Sequence, residues 1–457
     1  MNFLIIALDT QRRDHLGCYG YLRDTSPTID ALAAEGVVFE SCVTNTAHTM
    51  PTFTTMVSGQ DPSTHGIVGT LFAHPNEPDQ RFDDSQPVLA ELLRDSGYTT
   101  AAFDNLADFG CHPSWFTRGY QFYVNIWAPK AGHPSQVLAE DINEHLLPWL
   151  TRHGDEVPWF LFVHYWDPHQ AYNQPEPYRT IHAGKPGPEP VGIEGREHIP
   201  TWGWTDRLTK QAREKIDLYD GELSYVDNAI AQIIAVLRRL HVYDETAIIV
   251  TADHGEDLEE HNAPFEHREP YESTVGIPLV CKPPAEMGCP AGSRVASPVG
   301  NCDLLPSILD MAGIDPPEDI DGKSWLPLAR AETDSIHNDL FLTGGAIKQH
   351  GTWVSPELGL RTDQYKYIRR GTAQYHEGQT NLDITCLCAP PWRGQADRTL
   401  RDRVEFFNAL PRQELYDLIV DPHETTDIAA QNPSVVAELD ARLQEYVAKN
   451  PKRLIVD

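Results

Sequence analysis

With 457 residues, 40% of them hydrophobic and 23% charged, the chain can bury a large core and divide into one large domain and a smaller one. A formal net charge of −31 leaves no basic excess to neutralise phosphates, so nucleic acid is not an expected partner. Mean hydropathy is −0.41, and no apolar run approaches the roughly 20 residues of a membrane helix, so no membrane partner is expected either.

The first expected element is a strand over about Phe3–Leu8, apolar throughout as a parallel strand buried on both faces should be. Asp9 follows at its carboxyl end. The start of the chain lacks a basic n-region and a cleavage site and reads as this core strand rather than a signal peptide, which makes the cytoplasm the expected location. Ser26-Pro27 offers a capping residue and a first-turn proline to a helix that carries Ile29 and Leu32 inward and stops at Gly36. Val37-Val38-Phe39 opens the next extended piece. A second helix over about Val88–Asp95 ends at Gly97, and Tyr98–Phe103 reads as a strand. Trp159–Tyr165 is another apolar strand, running into Asp167-Pro168-His169. A long helical pattern covers about Ala212–Leu240, with Ile216, Leu223, Val226, Ile230 and Ile233 on one face. Thr246–Thr251 is a β-branched strand with Asp253-His254-Gly255 at its end.

Strands alternating with helices predict an α/β fold, a doubly wound and mostly parallel sheet flanked by helices, over residues 1–335. Ligands of such sheets sit outside the carboxyl ends of the strands. Asp9, His169, Asp253 and His254 all fall there. Beyond residue 335 the pattern changes: a hairpin over Gly359–Arg370, a short strand over Glu414–Leu418 and an amphipathic helix over Val435–Val447 predict a smaller α+β subdomain, 336–457. The polar stretches 170–205 and 371–412 are too long for plain connectors and are expected to be substrate-facing loops. Their Trp202, Trp204 and Trp392 serve either a pocket or loop packing. Eight cysteines stand at 18, 42, 111, 281, 289, 302, 386 and 388. Only Cys386-x-Cys388 is close-spaced, no second pair completes a zinc site, and reduced thiols are expected.

A carboxylate and an imidazole together at a strand end, as in Asp253-His254, suit a hard-to-borderline divalent metal; the plainer alternative is a polar loop with a capping Asp. Asp9, directly after a buried strand, is costly unless paired or metal-bound, its plainer role being to cap the next turn.

The segment His48-Thr49-Met50-Pro51-Thr52-Phe53, running on to Gly59, resembles the sulfatase active-site signature, with Thr49 where the oxidisable cysteine stands and Phe53 where the arginine stands. Gly17-Cys18-Tyr19-Gly20-Tyr21, Phe162-Val163-His164-Tyr165-Trp166-Asp167-Pro168-His169, Asp303-Leu304-Leu305-Pro306 and Glu414-Leu415-Tyr416-Asp417-Leu418 extend the match. Together they resemble the sulfatase family of the alkaline phosphatase superfamily over essentially the whole chain.

The resemblance implies one divalent metal ion held by Asp9, Asp253, His254 and the oxygen of Thr49, with Thr49 as nucleophile and His169 touching substrate or leaving group. His267 lies near the place of a family lysine and is a further catalytic candidate or a plain surface histidine. His48 is a possible donor, with packing its plainer role. The departures carry chemistry of their own. Thr10 replaces a second aspartate, and His254 rather than asparagine favours manganese or zinc over calcium, with magnesium also possible. The family's Gly-Lys-Trp-His block is missing: Gly97-Tyr98-Thr99-Thr100 runs into Phe103-Asp104-Asn105-Leu106.

A formylglycine hydrate expels sulfate by elimination, a route that a threonine sulfate ester lacks. A threonine phosphate can be displaced in line at phosphorus. The expected function is therefore metal-dependent hydrolysis of a small anionic phosphate or phosphonate ester, diesters included. The alternatives are sulfate-ester hydrolysis, phosphoryl transfer to an organic acceptor, and a silent metal-binding scaffold.

Overall fold

The computed structural model describes residues 1–69, 81–106, 114–126, 137–156, 158–186, 205–258, 261, 264–267, 269–349, 352–374 and 400–449. An eight-stranded sheet runs through the larger part. Its strands are β1 (Asn2–Leu8), β2 (Val37–Phe39), β3 (Thr99–Asp104), β4 (Phe122–Asn125), β5 (Trp159–Tyr165), β6 (Thr246–Ala252), β7 (Leu279–Lys282) and β8 (Ser293–Val295). The spatial order is β8-β2-β7-β6-β1-β5-β3-β4. β7 pairs antiparallel to both its neighbours, and the other pairings are parallel.

Side chains of a strand alternate between faces, and β1 feeds two cores this way. Phe3, Ile5 and Ala7 join one core with α2 (Thr49–Ser58), α3 (Leu89–Asp95) and α6 (Leu304–Ala312). Leu4, Ile6 and Leu8 join the other with α1 (Pro27–Glu35), α4 (Ala139–His153) and α5 (Thr205–Arg239). The sheet is thus doubly wound.

Two local expectations are corrected. Ser26 does not cap α1: its hydroxyl bonds to Asp30 and accepts from the Gly17 amide. The α1 amides of Thr28 and Ile29 instead donate to Asp227, a carboxylate that α5 carries to the positive helix end. The long helix also begins earlier than its apolar pattern, at Thr205.

The C-terminal part holds an antiparallel sheet of β9 (Leu340–Gly344), β10 (Glu357–Arg361), β11 (Tyr365–Arg370) and β12 (Gln413–Asp417). Leu358, Leu360, Tyr367 and Leu415 pack there against Val436, Leu439 and Leu443 of α8 (Pro433–Lys449). The stretch 371–412, expected to be a loop, contains α7 (Leu400–Ala409). Trp202, Trp204, Trp392, Cys386 and Cys388 lie outside the described residues. Among the described residues, no helix is long and apolar enough to cross a membrane.

Candidate active site

Strand register builds the site. Leu8 pairs with Tyr165 on one side and Ala252 on the other, so β5, β1 and β6 end level. Asp9 and Asp253 leave the sheet next to each other. Thr10 adopts a left-handed backbone, φ 58, which turns its amide toward Asp253 Oδ1 at 3.1 Å. The His254 amide donates to the same oxygen at 2.7 Å. Tyr219 braces the turn: its hydroxyl donates to the Thr10 carbonyl and accepts from the Arg12 amide, each at 2.9 Å.

Asp9, Asp253 and His254 are fully buried, and each offers a ligand atom within 4.8 Å of the others. Neither carboxylate oxygen of Asp9 has a hydrogen-bond partner, nor does Asp253 Oδ2. Burial, then the charges of Asp253 and Glu256, push the Asp9 carboxyl well above its ordinary range. Burial raises Asp253 too. Two crowded carboxylates with bare oxygens resist ionisation unless a cation joins them. His254 Nδ1 lies 2.9 Å from the Gly255 carbonyl, which places the ring proton there and leaves Nε2 with its lone pair. Burial lowers the His254 pKa, favouring the neutral, ligating form. This donor set, two carboxylates and a neutral imidazole, fits a divalent cation.

Thr49 reaches the cluster from across the fold. Gly59, at φ 70, ends α2 in the left-handed conformation that favours glycine. At the other end Thr49 opens the helix, with Oγ1 at 3.3 Å from His254 Nε2. First-turn amides of a helix lack intrahelical acceptors and favour an anion. One turn on, the fully buried Phe53 meets Phe116, Phe162 and His164 edge to face. The position that a guanidinium would occupy is an aromatic wall.

The remaining histidines converge as well. His267 stacks on His254, ring centroids 4.2 Å apart, with Nδ1 at 3.5 Å from Glu256 Oε1. His169 meets His267 edge to face at 5.3 Å and lies against Trp166. His48, the residue before α2, is buried, and its Nε2 has no hydrogen-bond partner.

Sequence reasoning did not single out His164 or assign Asn105 a place in the site. His164 Nε2 lies 3.4 Å from Asp9 Oδ2, and Nδ1 lies 3.0 Å from Asn105 Oδ1. The available signal was one polar residue in the apolar strand 159–165, on the same face as the residue two before Asp9: Ala7 pairs with His164.

The chain is similar to arylsulfatase K of Rattus norvegicus, 25% identical over 92% of this chain and 73% of that protein. It is also similar to the Delta 4,5-hexuronate-2-O-sulfatase of Bacteroides thetaiotaomicron, 22% identical over 98% of this chain and 89% of that protein. Its fold matches that of the phosphonate monoester hydrolase of Agrobacterium radiobacter with a TM-score of 0.74 at 20% identity, covering 98% of this chain and 96% of that one. The N-sulphoglucosamine sulphohydrolase C-terminal family matches residues 259–379. The sulfatase family matches residues 1–314, which include every candidate residue above, and the chain belongs to that family of hydrolases.

Proposed function

We propose that this chain is a divalent-metal-dependent hydrolase of phosphate or phosphonate esters, diesters among them, with Thr49 as the nucleophile. The observation that carries this reading is a threonine hydroxyl, not an oxidisable thiol, at the N-terminus of α2 and 3.3 Å from His254 Nε2. Asp9, Asp253 and His254 would hold the metal, with Thr49 Oγ1 as a further ligand; manganese or zinc suits the imidazole better than calcium. When bound, the cation supplies charge that stabilises a Thr49 alkoxide and the developing charge on the transferred group. The α2 amides orient an anionic oxygen of the substrate. His169 and His267 stand as donors toward the leaving-group oxygen, with His267 oriented by Glu256. The Phe53 wall supplies no cation, which disfavours a dianionic monoester and favours a monoanionic diester or phosphonate ester. The Cys18, Cys42, Cys281, Cys289 and Cys302 thiols are free, which suits a reducing cytoplasm.

Sulfate-ester hydrolysis is the second reading, supported by the sulfatases among the relatives. It requires water to attack sulfur, in the substrate or in a threonine sulfate ester, because that ester has no elimination route. The test is turnover of aryl phosphodiester, phosphomonoester, phosphonate and sulfate substrates by metal-free protein given manganese, zinc, magnesium or calcium, beside Thr49→Ala. Metal-dependent phosphoester turnover that vanishes in Thr49→Ala is the expected result. Turnover confined to sulfate esters would replace the first reading with the second.

A further inference from the structure

β5 ends at Tyr165, and the chain then loops out through His169 and returns against α5 at Asn173 and Gln174. Both limbs of this loop meet one side chain, Glu222 of α5. On the return limb the amides of Asn173 and Gln174 donate to Glu222 Oε1, at 2.5 and 3.0 Å. Gln174 Nε2 adds a bond to the Leu218 carbonyl at 2.6 Å, one turn earlier on the helix. On the outgoing limb the Asp167 side chain hydrogen-bonds to that of Glu222. Between the limbs the His169 amide closes a turn on the Trp166 carbonyl at 2.8 Å, and its ring lies 4.4 Å from that of Trp166.

Two carboxylates cannot hydrogen-bond to each other, since neither has a proton to give. Asp167 and Glu222 are both buried, where a pair of like charges is costly. Asp167 Oδ2 and Glu222 Oε2 are buried atoms that no N–H or hydroxyl reaches. Among the described residues, those that face the pair are acidic or phenolic: Asp141 of α4, Tyr165 and Tyr225 toward Asp167, and Tyr172 toward Glu222. Arg179 donates to the Tyr172 carbonyl rather than to either carboxyl. Burial, then the charge of Asp167, push the Glu222 carboxyl up to about 10, while burial raises Asp167 only to about 6. At neutral pH the pair therefore holds one proton, on the Glu222 side.

We propose that Asp167 and Glu222 are positioning residues: a proton shared between them pins both limbs of the loop and so fixes the His169 ring beside the metal site. This rests on the reading of His169 as a donor toward the leaving group. The protonated acid is the form that suits the place, because Glu222 accepts two amides through one oxygen and donates to Asp167 through the other. Glutamine offers the same acceptor and donor, and alanine offers neither.

Infrared difference spectra between the unsubstituted protein and Glu222→Gln read the proton directly, at about pH 8, between the values of the two groups. The carbonyl stretch of one protonated carboxyl should vanish in Glu222→Gln, and no such loss overturns the shared proton. Turnover, with the activating metal present, is then compared for aryl esters that release 4-nitrophenol or phenol. Phenol leaves slowly without a proton donor, whereas 4-nitrophenolate departs unaided. Glu222→Ala should lower kcat for the phenyl ester about tenfold or more, with KM and the 4-nitrophenyl ester little affected. Glu222→Gln should restore the loss. His169→Ala should show the same selectivity, and adding Glu222→Ala to it should cost little more, since both act through one donor. Asp167→Ala cuts the outgoing limb alone, should reproduce the selectivity, and serves if Glu222→Ala does not fold. A loss in Glu222→Ala that is equal for both esters, or additive with that of His169→Ala, overturns the positioning role. So does selectivity in His169→Ala that Glu222→Ala and Asp167→Ala lack. A His169→Ala protein indifferent to the leaving group overturns that role together with the reading of His169 on which it rests.

Discussion

His164 shows what a single side chain contributes to this site. Its ring is fully buried, with Nε2 at 3.4 Å from Asp9 and Nδ1 at Asn105, and burial lowers its pKa to about 3. A neutral imidazole in that position limits how the Asp9 carboxylate can turn. Groups that orient metal ligands are worth roughly 10–100-fold in metal affinity. His164→Gln is therefore expected to release manganese or zinc more readily by that factor, as measured against a chromophoric chelator. Unchanged affinity would mean that Asp9 is held by the turn at Thr10 alone. Thr49 gives a complementary comparison: Thr49→Ser keeps a hydroxyl at the start of α2 and should retain turnover, whereas Thr49→Ala should abolish it in the same assay. Legibility in the sequence divides along this line. Asp9, Asp253 and His254 stand at the ends of apolar strands, and Thr49 stands in a segment that resembles the sulfatase signature. His164 sits in a run of apolar residues, where a histidine reads the same whether it packs in a core or faces a carboxylate. Only the pairing of Ala7 with His164 tells the two apart.

At the scale of the element, the end of β3 carries a proton-dependent fastening. Burial raises the Asp104 carboxyl to about 7, against the bonds donated by the Tyr123 hydroxyl at 2.5 Å and the Leu106 amide at 3.2 Å, which lower it. A carboxyl whose folded pKa exceeds its unfolded value favours folding while it stays protonated. That contribution is complete below the ordinary carboxylate range, near 4, and is lost as pH rises through about 7. Every tenfold gain in proton affinity on folding is worth about 1.4 kcal/mol, so the whole effect is roughly 4 kcal/mol. Denaturant melts between pH 5 and pH 8 should show stability falling with pH, and Asp104→Asn should flatten the fall. An unchanged slope in Asp104→Asn would assign the effect to other groups. The elements themselves were legible where period and punctuation agreed, as in β1, β5 and β6 with their apolar runs. α4 was not, because Pro148 lies inside it and a proline within a helical pattern reads as its end. α2 was hidden by the very signature that marked it, since Pro51 and four threonines resemble a loop more than a helix.

The whole molecule sets its charge against its internal ion pairs. The C-terminal sheet is tied to the larger part by Glu272 with Arg361 and Lys366, and Arg370 is buried between Glu357 and Glu414. These side chains are almost completely enclosed, so mobile ions screen them poorly. The net charge of −31 is spread over the surface, where self-repulsion opposes the compact state and is screened readily. Added salt therefore weakens the repulsion far more than the attraction. Between about 0.01 M and about 0.15 M sodium chloride the Debye length falls from ~30 Å to ~8 Å, so repulsion across the molecule fades while buried contacts persist. The melting temperature should rise over that range, as followed by calorimetry at fixed pH with chloride as the only added anion. A melting temperature that falls with chloride would instead mean that exposed pairs such as Arg294 with Glu40 and Arg238 with Glu35 contribute more than the net repulsion removes.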